Sequence, residues 1–209
     1  MLNSTQTDIL FTPSVTEMYP NGISLNVSEQ LGTFVSVLGK SHQLEGSVRK
    51  HFFRGVATVV LKLLNIIQPS TAYFGQKDVQ QCCVVKTMAK DLHLDLEIAV
   101  SETTRETDGL AMSSRNRFLR PDERLKAPIL YTALSASKKA FDKGERDSKI
   151  LIRIATEIID TEKDVVIQYL SLNNIDLSSS TDGKGGILSG AVMIGKTRII
   201  DNVLLGVKF

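Results

Sequence analysis

The stretch TAYFGQKDVQQCCVVKTMAKDLHLDLEIAV, residues 71–100, decides the fold. TAYFG predicts a short strand ending in glycine. DVQQCCVVKTMAKDLHL predicts a helix that begins near Val79, with Val79, Cys82, Cys83, Met88, Ala89 and Leu92 on its apolar side. LDLEIAV, Leu94 to Val100, predicts a second strand. Strand, helix and strand within roughly 30 residues make a βαβ unit, and the crossover forces its two strands to run parallel.

Upstream, Val56, Val59, Val60, Leu63, Leu64 and Ile67 recur at helical spacing, and Pro69 closes that segment. Pro20-Asn21-Gly22 predicts a turn. Asp8 to Phe11 predicts a short buried strand, stopped by Pro13. The chain to about residue 104 therefore reads as part of a doubly wound α/β domain. Downstream, RPDERLKAPILYTALSASKKAFDKG (120–144) is helical. Pro121 suits its first turn, Gly144 its stop, and Pro128 kinks or restarts it. DSKILIRIATEIIDT (147–161) is a second amphipathic helix. Two strand-like runs, DVVIQYLSL (164–172) and GAVMIGKTRIIDNVLL (190–205), flank the Gly/Ser-rich loop DLSSSTDGKGG (176–186). Helices followed by strands imply a smaller α+β domain with an antiparallel sheet.

Composition narrows the function. The 209 residues carry a net charge of +2, too small to point to nucleic acid or an anionic membrane as partner. No apolar run approaches the ~20 residues of a membrane helix. MLNSTQTDILF has no basic segment before an apolar core, so no signal peptide is expected. Cys82 and Cys83 are adjacent and can neither staple distant segments nor give metal-ligand spacing, which fits a reducing, cytoplasmic setting. His42, His51 and His93 do not suggest a metal site.

Three segments carry candidate chemistry. In FGQKDVQQ, Phe74 to Gln81, a strand ends, glycine turns the chain and a helix begins. Ligands bind at this carboxyl edge of an open parallel sheet, and free N–H groups at the new helix favour anions. Lys77 adds a mobile charge there, and Gly75 allows close backbone approach. Asp78 and Gln81 can equally form a capping pair that needs no ligand. In DGLAMSSRN, Asp108 to Asn116, Ser113 or Ser114 can cap a following helix. Arg115 beside two serines also makes a fork of donors that matches phosphate geometry. In LEGSVRKHFFRGVATVV, the charged Glu45, Arg49, Lys50, His51 and Arg54 can simply be solvated. Basic side chains at a helix start also suit a bound anion. The first two loops together can hold a triphosphate from two sides.

With TPSVTEMYPNG and the terminal RIIDNVLL, these segments run in the order of the pantothenate synthetase, or pantoate–β-alanine ligase, family, which the chain resembles over nearly all its length. The resemblance implies a nucleotidyltransferase-type fold. Residues 1–104 would be an incomplete Rossmann-like nucleotide-binding domain, and residues 105–209 a C-terminal α+β lid domain. It implies ATP-dependent condensation of pantoate with β-alanine through pantoyl adenylate, with Mg2+ accompanying the ATP and no metal site of the protein's own. Gly75, Gln76, Lys77 and Asp78 resemble an ATP-binding loop, Met112, Ser113, Ser114 and Arg115 a second phosphate loop. Thr104 matches a backbone contact to adenine, and Gln81 the glutamine that binds pantoate. Lys77, Ser113, Ser114 and Arg115 are the candidate catalytic groups.

Two departures stand out. Where the family often has Arg-Pro-Gly-His-Phe, this chain has Arg49-Lys50-His51-Phe52-Phe53, so no role is carried onto His51. The family's His-x-Gly-His motif is nowhere in the sequence. Losing one preorganised charge-stabilising donor costs about 3–4 kcal/mol, roughly a hundredfold or more in rate. The expectation is a chain lacking the family's N-terminal part and weakly active or inactive alone. It would be a homodimer or associate with a complementary chain. The alternative is a noncatalytic nucleotide-binding or assembly homologue.

Overall fold

The computed structural model describes residues 2–24, 26–179 and 183–209. Its regular elements are α1 (Val15–Met18), α2 (Glu45–Val48), α3 (Phe52–Ile67), β1 (Thr71–Gly75), α4 (Val79–Asp91), β2 (Glu97–Ser101), α5 (Pro121–Lys126), α6 (Ile129–Asp142), α7 (Ser148–Ile159), β3 (Val165–Asn173), β4 (Gly186–Ile194) and β5 (Thr197–Leu205). β1 and β2 pair in parallel, Thr71 opposite Glu97 and Gly75 opposite Ser101, with α4 as their crossover. β3, β4 and β5 form a separate antiparallel sheet in that order. The chain is an α/β fold with a parallel and an antiparallel part.

Each part has its own core. Phe53, Ala57 and Leu64 of α3 pack with Val84, Val85, Met88 and Ala89 of α4 and Ile98 of β2. In the C-terminal half, Leu130, Ala133 and Leu134 of α6 and Leu151, Ala155 and Ile159 of α7 cover the sheet through Leu188, Val192, Ile199 and Val203. A third cluster forms the seam. Val79 and Cys83, on a second face of α4, meet Leu177 and Ile187. α4 is thus buried on two sides, which suits a helix that joins two units.

The proline reading holds. Pro121 opens α5, and Pro128 is the N-cap of α6, so the chain restarts there instead of kinking. Gly144 has φ +112°, the left-handed stop that glycine supplies. The turn at Pro20–Gly22 closes with the Gly22 N–H on the Tyr19 carbonyl at 2.9 Å.

Other expectations change. Residues 8–11 form no strand, and Ile9, Leu10 and Phe11 are exposed. An apolar run becomes a strand only beside a partner edge, and among the described residues none pairs with it. β2 begins at Glu97 rather than Leu94, and Leu92, just past the end of α4, is exposed. α3 starts at Phe52, and its packing face turns away from Ile67, which is 53% exposed. The run 190–205 is not one strand. Gly195 and Lys196 make a two-residue turn between β4 and β5, with Gly195 at φ +56° as hairpin turns favour. Residues 180–182 of the Gly/Ser-rich loop lie outside the described residues.

Burial pushes the Cys82 thiol up to about 12, with Cys83 beside it adding to the effect, and the Cys83 thiol up to about 11, from an ordinary 9.0. Both are held as neutral thiols. Their contribution to stability is intact below pH 9 and is lost as pH rises through about 11 to 12. At pH 8 the folded chain should react with a disulfide thiol reagent at least ~100-fold more slowly than the denatured chain. Comparable rates would show that α4 does not bury them.

Candidate functional site

Two neighbours on β5 build the site. Asp201 is almost fully buried and takes a two-pronged ion pair from Arg105, at 2.6 and 3.0 Å. Arg105 also donates to the Gly109 carbonyl at 3.0 Å and lies over the Tyr131 ring at 3.5 Å. Asp201 therefore fixes the base of the 108–116 loop. Asn202 fixes the other loop. Its Nδ2 donates to the carbonyls of Gln76 and Lys77 at 2.9 and 3.1 Å, and its Oδ1 accepts from Gln76 Nε2 at 3.1 Å.

A cleft of about 260 Å³ opens between the two loops. Lys77, Asp78 and Gln81 line it from the first loop, and Ser113, Ser114 and Arg115 from the second. Asp78 makes no side-chain cap on α4, so the capping-pair reading is not realised. Ser113 does cap. Its Oγ accepts from the Arg115 N–H at 3.2 Å, which leaves Ser114 as the uncommitted hydroxyl. Gly75 and Gln76 are not among the cleft-lining residues, and the Gln76 side chain is committed to Asn202. Thr104 and Met112 pair through the main chain, the Met112 N–H donating to the Thr104 carbonyl at 2.9 Å. Neither is among the cleft-lining residues.

The third segment forms the opposite wall. Gln80 and Gln81 both line the cleft but differ in their partners. Gln80 is buried and clamps the preceding loop, accepting from the Glu45 N–H and donating to the carbonyls of Lys40 and Gln43. Gln81 faces the cleft. Glu45 takes a two-pronged pair from Arg198 at 2.5 and 2.8 Å and a hydrogen bond from the Tyr169 hydroxyl at 3.0 Å. Burial, and then the Glu45 charge, push the Tyr169 hydroxyl far above its ordinary value, so it remains a donor. Arg49 lines the cleft over the Phe52 ring. Sequence reasoning gave no role to Glu45, Tyr169, Asp201 or Asn202. The available signal was an acid and an amide inside an otherwise apolar strand, RIIDNVLL.

The donor set suits a phosphate chain. Arg49, Lys77 and Arg115 reach the cleft, and among the described residues none of them donates a side-chain hydrogen bond to another protein group.

The family profile for pantoate-beta-alanine ligase matches residues 1–204. The pantothenate synthetase of Acetivibrio thermocellus is 46% identical over 202 residues, covering 96% of this chain and 69% of the relative. That of Chloroflexus aggregans is 43% identical, covering 98% and 72%. The solved pantothenate synthetase of Thermus thermophilus superposes with a TM-score of 0.86 at 37% identity, covering 98% of this chain and 72% of that one. A pantoate-beta-alanine ligase of Francisella tularensis, solved with beta-gamma ATP and beta-alanine, superposes with a TM-score of 0.71 at 31% identity over 99% of this chain and 68% of that one.

The β5 pair is testable by stability alone. Asp201→Ala leaves Arg105 without its carboxylate and should cost about 3–5 kcal/mol. Asn202→Ala removes three hydrogen bonds, at about 1 kcal/mol each. Urea unfolding measures both, and losses below ~0.5 kcal/mol, within the range of an ordinary surface substitution, would mean that neither side chain holds its loop.

Proposed function

The chain belongs to the pantoate–β-alanine ligase family, and from that premise we propose that it binds ATP and pantoate in this cleft for adenylation of the pantoate carboxylate. Pantoate's carboxylate oxygen attacks the α-phosphate and pyrophosphate leaves. The β-alanine amine then attacks the acyl carbon, forming the amide and releasing AMP. One observation carries the reading: three cationic side chains, none paired with a carboxylate among the described residues, converge with Ser114 at the first turn of α4. Negative charge concentrates on the α-phosphate as the adenylate forms, and fixed cations and donors lower that barrier.

In this reading Lys77, Ser113, Ser114 and Arg115 are the catalytic and phosphate-binding groups. Gly75, Gln76 and Asp78 shape the nucleotide loop, and Gln81 takes pantoate. Thr104 and Met112 would reach the nucleotide only at the cleft's margin. Residues 1–104 act as a Rossmann-like nucleotide-binding unit and 105–209 as its lid. Among the described residues no cluster of three His, Cys, Asp or Glu is present to hold a metal. Mg2+ would arrive on the nucleotide's phosphates, which with water supply most of its ligands. Among the described residues no helix is long and apolar enough to cross a membrane; the cytoplasmic setting is part of the proposal and rests on the family reading.

Among the described residues, no histidine lines the cleft. That favours slow adenylation by this chain alone, and keeps a noncatalytic nucleotide-binding homologue as the second reading. Pyrophosphate exchange with ATP and pantoate separates them. Weak, pantoate-dependent exchange supports the ligase, and ATP binding with no exchange supports the homologue. Robust exchange overturns the expectation of a poor catalyst. Lys77→Ala and Arg115→Ala should each weaken ATP binding by about tenfold or more, the worth of a charge-assisted contact. Gln81→Ala should spare ATP and weaken pantoate, as titration calorimetry will show. Unchanged affinities in all three remove these assignments.

Association is part of the same proposal. Ile9, Leu10, Val15 and, on β1, Tyr73 expose large apolar side chains that a second copy or a complementary chain would cover. Light scattering should find a dimer or larger, and a monodisperse monomer counts against it.

A further inference from the structure

The cleft holds more positive charge than a carboxylate substrate needs. Glu45, Asp78 and Asp201 are its acids. Glu45 is already neutralised by Arg198, and Asp201 by Arg105. Among the described residues lining the cleft, that leaves Asp78 alone against Arg49, Lys77 and Arg115. A monocarboxylate such as pantoate would leave the excess unbalanced, whereas a phosphate chain bearing several charges matches it.

Arg49 is also built for the task. Its guanidinium carbon lies 3.4 Å from the centre of the Phe52 ring, and that ring packs edge-on against buried Phe53 at 5.1 Å. A stacked guanidinium is fixed in orientation while its in-plane N–H donors stay free for a ligand. Burial, and then the nearby Arg115, hold the Arg49 guanidinium below its ordinary range. Two guanidiniums brought close in one cleft repel each other until an anion stands between them.

We propose that Arg49, seated on Phe52, is a second polyphosphate-binding arginine that grips the β,γ end of the nucleotide's phosphate chain jointly with Arg115. The proposal deepens the nucleotide reading of this cleft and rests on it. The two arginines would hold the leaving pyrophosphate from both sides, while Lys77 stays at the carboxyl edge of β1.

Titration calorimetry of the full chain with ATP, AMP and inorganic pyrophosphate tests it. Arg49→Ala should weaken ATP and pyrophosphate by about tenfold or more and leave AMP within about twofold, since only the distal phosphates lose a charge-assisted contact. Arg49→Lys keeps the charge but loses the stacked fork, and should recover only part of that affinity. Phe52→Ala, with its fold checked by circular dichroism, should fall between Arg49→Ala and the unaltered chain. If Arg115→Ala weakens pyrophosphate and Arg49→Ala does not, the Arg49 proposal is wrong and the cleft reading stands. An equal loss of AMP affinity in Arg49→Ala also overturns it, because the contact would not be with the distal phosphates. If the unaltered chain binds none of the three, the cleft reading fails and takes this inference with it.

Discussion

Everything at the cleft depends on Asp201 and Asn202 occupying consecutive positions of one strand. Neighbouring strand residues project to opposite sides. Here one reaches Arg105 and through it the 108–116 loop, and the other reaches the main chain at Gln76 and Lys77. The two loops come from different parts of the chain, and nothing in either would place it within reach of the other's ligand. A strand is a stiff ruler, so anchoring both loops to adjacent residues sets their separation. A buried ion pair such as Arg105–Asp201 adds little net stability, because desolvation offsets much of its attraction. Its directional, two-pronged geometry is what places the loop.

A second tie acts from the other wall. Glu45 receives Arg198 from β5 and Tyr169 from β3, while its N–H is held by Gln80 of α4. With the α4 seam, this ties the parallel part and the antiparallel part together along one side of the cleft. The arginines therefore divide by role. Arg105 and Arg198 are committed to buried carboxylates, and Arg49 and Arg115 are not. The division follows from where acids were supplied, since a cation beside a buried carboxylate is satisfied and one facing open space is available.

Much of the fold was legible in the sequence, and the reasons for the misses are physical. Residues 71–100 gave the parallel pair because strand, crossover helix and strand are close neighbours in the chain and their patterns are local. Pro121, Pro128 and Gly144 marked helix ends because each acts on its own backbone. Asp8–Phe11 misled because a short apolar run reports a side chain's preference and says nothing of whether a partner edge is present. The β4–β5 hairpin was hidden because its turn is only Gly195-Lys196 inside one long strand-like run. At the site, the two loops that line the cleft could be singled out from their residue types. Their anchors could not, since Asp201 meets Arg105 across 96 positions and Asn202 meets Gln76 across 126.

The uncommitted charges also bear on how the two halves behave without ligand. Lys77 belongs to the parallel part, Arg115 to the segment that packs on the antiparallel part, and Arg49 to the wall between them. Their mutual repulsion acts across the cleft and opposes its closing, while the Asn202 and Glu45 contacts, which join the two parts, oppose its opening. An anion of several charges removes the first force and leaves the second. In the proposed reading, a bound phosphate chain would therefore favour tighter association of the two parts by cancelling a repulsion that the cleft already carries. A neutral ligand of the same size would leave that repulsion in place.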